Sequence, residues 1–340
     1  MANPTTPVSL LNTAQRVIDT QCGQLQLMVS WPLGWSEDGQ PPAGEQVSDI
    51  PVVFVLDGNA YFATATDIVR RLQFVVRKKA IAVGVGYPFI SDAVFAMERR
   101  ALDLTPPSKK GDNPTWKPRP GQGATQPPGG IGAAQGAHGT PNAHGLPGGR
   151  PQLKYGGAAS FQRALADELL PAVPEMLPAL APVWTDMRKV LFGHSFGGLF
   201  TLYSLFSQPG VFDTYVSASP SLWFNDSAIQ EHEEAFLRKG KKETGISVQK
   251  PKLYITGGTA EEDLLQKPGD GDEFFARRQA DVKAKQMNKK SRDLAERLRD
   301  SGLLSEVWLQ IFDLEDHGSS AVCGLQRSIN KVLDEWWVGR

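Results

Sequence analysis

Cysteine is almost missing from this chain. Two residues, Cys22 and Cys323, stand at opposite ends of 340, too few for a disulfide framework or a thiolate metal cluster, and this predicts a reducing compartment. Charge of one sign is missing as well: 36 basic residues face 37 acidic ones, so neither a nucleic acid nor an anionic membrane is an expected partner. The basic runs at 238–242 and 285–290 read as solvated faces. No apolar run reaches the roughly 18 residues that a membrane helix needs. The first residues, Met1 to Pro7, lack a basic stretch leading into an apolar core, so no secretory leader is expected. A soluble, cytoplasmic protein follows, with no obligatory protein partner and no cofactor inferred. Histidine is also scarce, at five residues, and this sharpens the search for a catalytic base.

What the chain does have is an alternation of short apolar runs with helical patterns. Leu25, Leu27 and Val29 alternate with polar residues, as in a half-buried strand. The stretch 31–50 reads as a surface loop. Continuous apolar runs at 52–56 and 80–85, then 189–192, 214–217, 252–256 and 307–312, read as strands buried on both faces. Helical patterns lie between them, at 60–74, 199–206, 274–303 and 321–337. That order predicts an α/β fold, a mainly parallel central sheet flanked by helices, in one domain over 1–340. The segment 106–157 departs from it. Gly, Pro, Gln and Ala dominate there, and such a composition buries too little apolar surface to offset the entropy of ordering. It reads as a low-complexity flexible insertion, in which His138 and His144 are incidental.

Gly193-His194-Ser195-Phe196-Gly197-Gly198 carries the chemistry. It fits G-x-S-x-G, is entered from a strand and exits into a helix, which is the setting of a nucleophile elbow. The chain passes close on both sides of such a serine, so Gly193 and Gly197 are read as the small residues the turn requires. A serine needs an adjacent base, and in an α/β-hydrolase the order is Ser, acid, His. His138 and His144 precede the elbow, His194 is inside it, and His232 lies in a polar helical stretch. His317, directly after the last strand, is the expected base. The acid is expected in Glu261-Glu262-Asp263, after the preceding strand. Glu261 is favoured; Asp263 and Glu262 remain alternatives, as does a Ser195–His317 dyad. The oxyanion hole is expected from the backbone amides of Phe196 and Asn59.

Five pieces together resemble the siderophore esterases of the α/β-hydrolases: Val55-Leu56-Asp57-Gly58-Asn59-Ala60, Arg100 to Pro106, the elbow through Phe200, Ser217 to Trp223, and His317-Gly318. They occur in the right order and span most of the chain outside the insertion. The resemblance implies Ser195 as nucleophile, His317 as base and Arg100 as substrate anchor, through a planar fork of donors. Without a leader and with the Gly/Pro-rich insertion, the chain looks like cytosolic fungal esterases acting on triacetylfusarinine C, a cyclic tri-ester hydroxamate siderophore. The expected partner is therefore a small-molecule ester substrate, a ferric siderophore, with any iron belonging to the substrate and no metal site in the protein. The alternatives are a general carboxylesterase of formylglutathione or feruloyl type and a non-catalytic binding protein on the same fold.

Overall fold

A computed structural model describes residues 8–88, 94–108, 153–242 and 250–338. The central part of the expected insertion, with His138 and His144, lies outside these residues. Among them, eight strands form one sheet in the order β1-β2-β4-β3-β5-β6-β7-β8. They are β1 (Thr13–Thr20), β2 (Gly23–Ser30), β3 (Val52–Leu56), β4 (Ile81–Gly86), β5 (Lys189–His194), β6 (Thr214–Ala218), β7 (Lys252–Gly258) and β8 (Glu306–Phe312). From β4 to β8 neighbouring strands are parallel, while β1 and β2 run antiparallel at one edge.

The helices are α1 (Gly58–Val76), α2 (Met97–Asp103), α3 (Ala158–Ala164), α4 (Leu170–Met176), α5 (Phe196–Ser207), the short α6 (Phe224–Ser227), α7 (Ile229–Lys242), α8 (Asp272–Lys285), α9 (Met287–Asp300) and α10 (Ser319–Val338). Strand side chains alternate between two apolar layers. Phe54, Leu191 and Tyr215 pack with Phe161 of α3, Phe200 of α5 and Leu298 of α9. Val55, Phe192 and Tyr254 pack with Ile68 of α1 and Leu325 of α10. Covering both faces explains the continuous apolar runs of the inner strands.

Four expectations from the sequence change. The edge strand β1 has no counterpart among the predicted strands; its pattern is mostly half-exposed, so alternation is weak there. The loop 31–50 is anchored: Trp31 and Trp35 are only 6% and 4% exposed, and Trp35 Nε1 donates to Glu45 at 2.7 Å. The single helix expected over 274–303 is two, broken at Gln286, whose φ is 51°. The segment 106–157, expected as a flexible insertion, is tied down at its C-terminal end: Gly156 N–H donates to the buried Thr105 Oγ1 at 2.9 Å, and Gly157 N–H to Leu102 O at 2.8 Å.

The topology positions the site. From β3 the chain moves to β4 on one side, and β5 then pairs with β3 on the other. The helices that follow β3 and β5 therefore diverge, opening a crevice at the carboxyl ends of these two strands, where α/β sheets bind ligands.

Candidate active site

Ser195 stands between β5 and α5 with φ 61° and ψ −115°, a backbone state that a non-glycine residue holds only when its surroundings impose it. Here they do. Ser195 N–H donates to Ala218 O at 3.0 Å, and Ser195 O accepts from Leu199 N–H at 2.9 Å and Ser221 N–H at 3.2 Å. A Cβ on Gly193 would lie 2.1 Å from Gly197 O, and one on Gly198 would lie 2.7 Å from Ala218 O. A Cβ on Gly197 would meet nothing closer than 3.5 Å. The positions that must be glycine for space are thus 193 and 198, in place of the expected 193 and 197, because α5 packs directly on β6.

From Ser195 a hydrogen-bonded row runs inward. Ser195 Oγ lies 3.0 Å from His317 Nε2, and His317 Nδ1 lies 2.8 Å from Glu261 Oε1. His317 sits in the loop between β8 and α10, and Glu261 in a helical turn after β7. The carboxylate is almost fully buried and is held further by Ser320, whose hydroxyl donates to Oε1 at 3.2 Å, and by Gly258 N–H, which donates to Oε2 at 3.4 Å. Ser219 Oγ is 2.8 Å from Ser320 Oγ and extends the row. Of the three acidic residues, Glu261 alone reaches the imidazole. Glu262 accepts from Lys289 N–H at 3.0 Å, and Asp263 pairs with Lys283 at 3.5 Å.

His194 shares the site without joining the row. Its Nδ1 is 3.0 Å from the Tyr61 hydroxyl, and its ring lies 4.6 Å from that of His317. Burial, reinforced by His317 and Arg100, holds its pKa well below the ordinary histidine value. A neutral His194 places no positive charge beside the His317 ring. Burial likewise pushes the Tyr61 hydroxyl up, keeping it a proton donor.

The amides expected for an oxyanion hole open the first turns of two helices, Phe196 in α5 and Asn59 in α1. First-turn amides have no partner within their own helix, and both helix dipoles favour negative charge there. The Asn59 side chain also ties α1 to the end of β4, accepting from Tyr87 N–H at 2.8 Å and donating to Tyr87 O at 2.9 Å.

Arg100, expected as a substrate anchor, is 1% exposed. Its Nε and Nη2 donate to the two oxygens of Asp57, both at 3.0 Å, and its guanidinium lies over the rings of Phe95 and Phe196. The fork expected to face substrate thus faces Asp57, the residue that leads into Gly58 and Asn59 in a left-handed conformation. Asp103 pairs instead with Arg99, at 3.1 Å. Sequence reasoning missed Ser219, Ser320, Tyr61 and Asp57 as site residues. Only Asp57 carried a local signal, its turn chemistry in Asp57-Gly58-Asn59.

No helix among the described residues is long and apolar enough to cross a membrane. Cys22 and Cys323 are unpaired.

Comparison with known proteins agrees with the geometry. The family model described as "Putative esterase" matches residues 146–306. The chain is 32% identical to the siderophore enterobactin esterase of Emericella nidulans over 93% of its length and 92% of the relative's. It is 28% identical to the siderophore triacetylfusarinine C esterase of Aspergillus fumigatus, covering 99% of this chain and 98% of that one. Among solved structures, the siderophore hydrolase EstA of Aspergillus nidulans superposes with a TM-score of 0.78 at 30% identity, covering 99% and 98% of the two chains. This chain is an ester hydrolase, and it belongs to the esterase family with the α/β-hydrolase fold that contains these siderophore esterases.

Proposed function

We propose that the protein is a serine esterase that opens the ester bonds of a cyclic ferric siderophore such as triacetylfusarinine C, acting in the cytoplasm on an internalised complex. The observation that supports this reading most is the unbroken row Ser195–His317–Glu261 at the crevice between β3 and β5. His317 Nε2 takes the Ser195 proton as Oγ attacks an ester carbonyl. The tetrahedral oxyanion forms against the amides of Phe196 and Asn59. His317 then gives its proton to the leaving alcohol, and Glu261 stabilises the imidazolium in between. Water, activated by the same imidazole, releases the acid product. Arg100 works from behind the oxyanion turn. It neutralises Asp57, whose charge would otherwise oppose the oxyanion, and so holds Asn59 in place. Cleavage turns one multidentate chelator into separate weaker ligands, because the effective concentration that linked them is lost.

Product analysis by mass spectrometry with ferric and iron-free triacetylfusarinine C tests this. Linear trimer, dimer and monomer are expected, with none formed by Ser195→Ala. Hydrolysis of p-nitrophenyl acetate without cleavage of the siderophore would make the protein a general carboxylesterase.

A further inference from the structure

The chain leaves β6 through Ser219-Pro220-Ser221, a turn that touches both ends of the catalytic row. Ser219 is left-handed, with φ 43°. Its N–H donates to Thr256 O at 2.7 Å, and its hydroxyl meets Ser320 behind Glu261. Two residues on, Ser221 is 2% exposed. Its N–H donates to Ser195 O at 3.2 Å, and its carbonyl accepts from Phe224 N–H at 3.0 Å. Pro220 between them has its φ set by the ring, and a Cβ on Gly198 would lie 3.2 Å from its Cα, so the turn is packed against α5. From this rigid support the Ser221 hydroxyl lies 3.4 Å from Ser195 Oγ. It has no other hydrogen-bond partner among the described residues.

The row fixes the direction of that bond. A neutral imidazole that donates from Nδ1 to Glu261 accepts at Nε2. The Ser195 proton therefore points to His317, and of the two hydroxyls only Ser221 has a proton to give. Its target is a lone pair on the atom that attacks. At 3.4 Å, with a neutral acceptor, the bond is weak. Once the acceptor turns anionic, such a bond shortens and roughly doubles in strength. Catalytic hydrogen bonds are often long before substrate binds.

We propose that Ser221 is a further catalytic residue, whose hydroxyl donates to Ser195 Oγ and stabilises the negative charge that gathers there. Charge gathers twice. In acylation the Ser195 proton goes to His317 Nε2 while an Oγ lone pair forms the bond to the ester carbon. In deacylation the carbon–Oγ bond breaks, its electron pair returns to Oγ, and His317 gives the proton back. Ser221 keeps its own proton throughout. The amides of Phe196 and Asn59 serve the carbonyl oxygen and Glu261 serves the imidazole; Ser221 serves the third atom that changes charge. The inference rests on the reading of Ser195 as nucleophile and deepens it.

The test measures how fast a fluorophosphonate probe inactivates the enzyme, and the acylation and deacylation rates with p-nitrophenyl acetate. Ser221→Ala keeps the backbone bond to Ser195 O. It is expected to slow all three about 10- to 100-fold, with an unchanged melting temperature and no displacement of the acid limb of the pH profile of kcat/KM. A Ser221→Ala variant inactivated as fast as wild type would overturn the role. So would a slowed variant whose melting temperature falls by several degrees or whose acid limb moves, since the row itself would then have shifted. Wild-type enzyme that the probe does not label at Ser195 defeats the nucleophile reading, and the role of Ser221 with it.

Discussion

The buried side of the site and the helix α8 are built differently. On the inner side, Ser195, Asp57, Arg100 and Glu261 are all under a tenth exposed, and each is fixed by at least two hydrogen bonds. By contrast α8 has no buried residue, and Phe274 on it and Leu265 before it are each more than half exposed. Reacting groups must be held to fractions of an ångström, because oxyanion stabilisation and proton transfer fall steeply with misplacement. A helix that carries no group of the hydrogen-bonded row has no such demand, and thinly packed segments open at little cost. Substitutions among the buried groups should therefore damage chemistry or folding, while those on the exposed face of α8 should change both far less.

The sharpest break of that contrast is Ser195→Ala, which is expected to lower kcat by at least about 10⁴-fold with an unchanged melting temperature. Glu261→Gln keeps the shape of the row but loses the charge that orients His317; a fall in kcat of about 10³–10⁴-fold is expected, again read against thermal stability. Asp57→Ala leaves the buried Arg100 without its counter-charge and should cost about 3–5 kcal/mol, measured by chemical denaturation. Asp57→Leu combined with Arg100→Met should recover much of that loss, since it removes both charges together.

A pH experiment probes the same buried side. Burial raises the Asp103 pKa to about 6, in spite of its Arg99 partner. Because the folded state holds this proton more tightly than the unfolded chain, Asp103 contributes stability below its unfolded pKa of about 4 and loses it as pH rises through about 6. Asp103→Asn should flatten the stability profile across that window. At the other extreme, Phe274→Ala on α8 should shift stability by less than about 0.5 kcal/mol; a larger loss would mean that α8 is packed more like the buried side.

Much of the buried side is readable from local pattern. A strand, a glycine-lined turn and a helix are contiguous in sequence, so the elbow at Ser195 announces itself. His317 follows from chain order and from the scarcity of histidine. The edge strand β1 and the break at Gln286 escape such reading, since β1 lacks a clear alternation and Gln286 takes a left-handed conformation without the glycine that usually marks one. The choice among Glu261, Glu262 and Asp263 also escapes it. Three adjacent carboxylates are equivalent in sequence, and only the direction of the turn after β7 sends one of them inward.

The α/β order, the strained turn at Ser195, the placing of His317 after the last strand and the short list of carboxylates are therefore written in the chain itself, because each depends on contacts between near neighbours or on a fixed order of elements. Long-range packing alone settles which carboxylate meets the imidazole and that Arg100 turns its fork to Asp57. Each of these joins residues far apart in the chain, and their side chains meet only because the sheet brings the carboxyl ends of its strands to one edge.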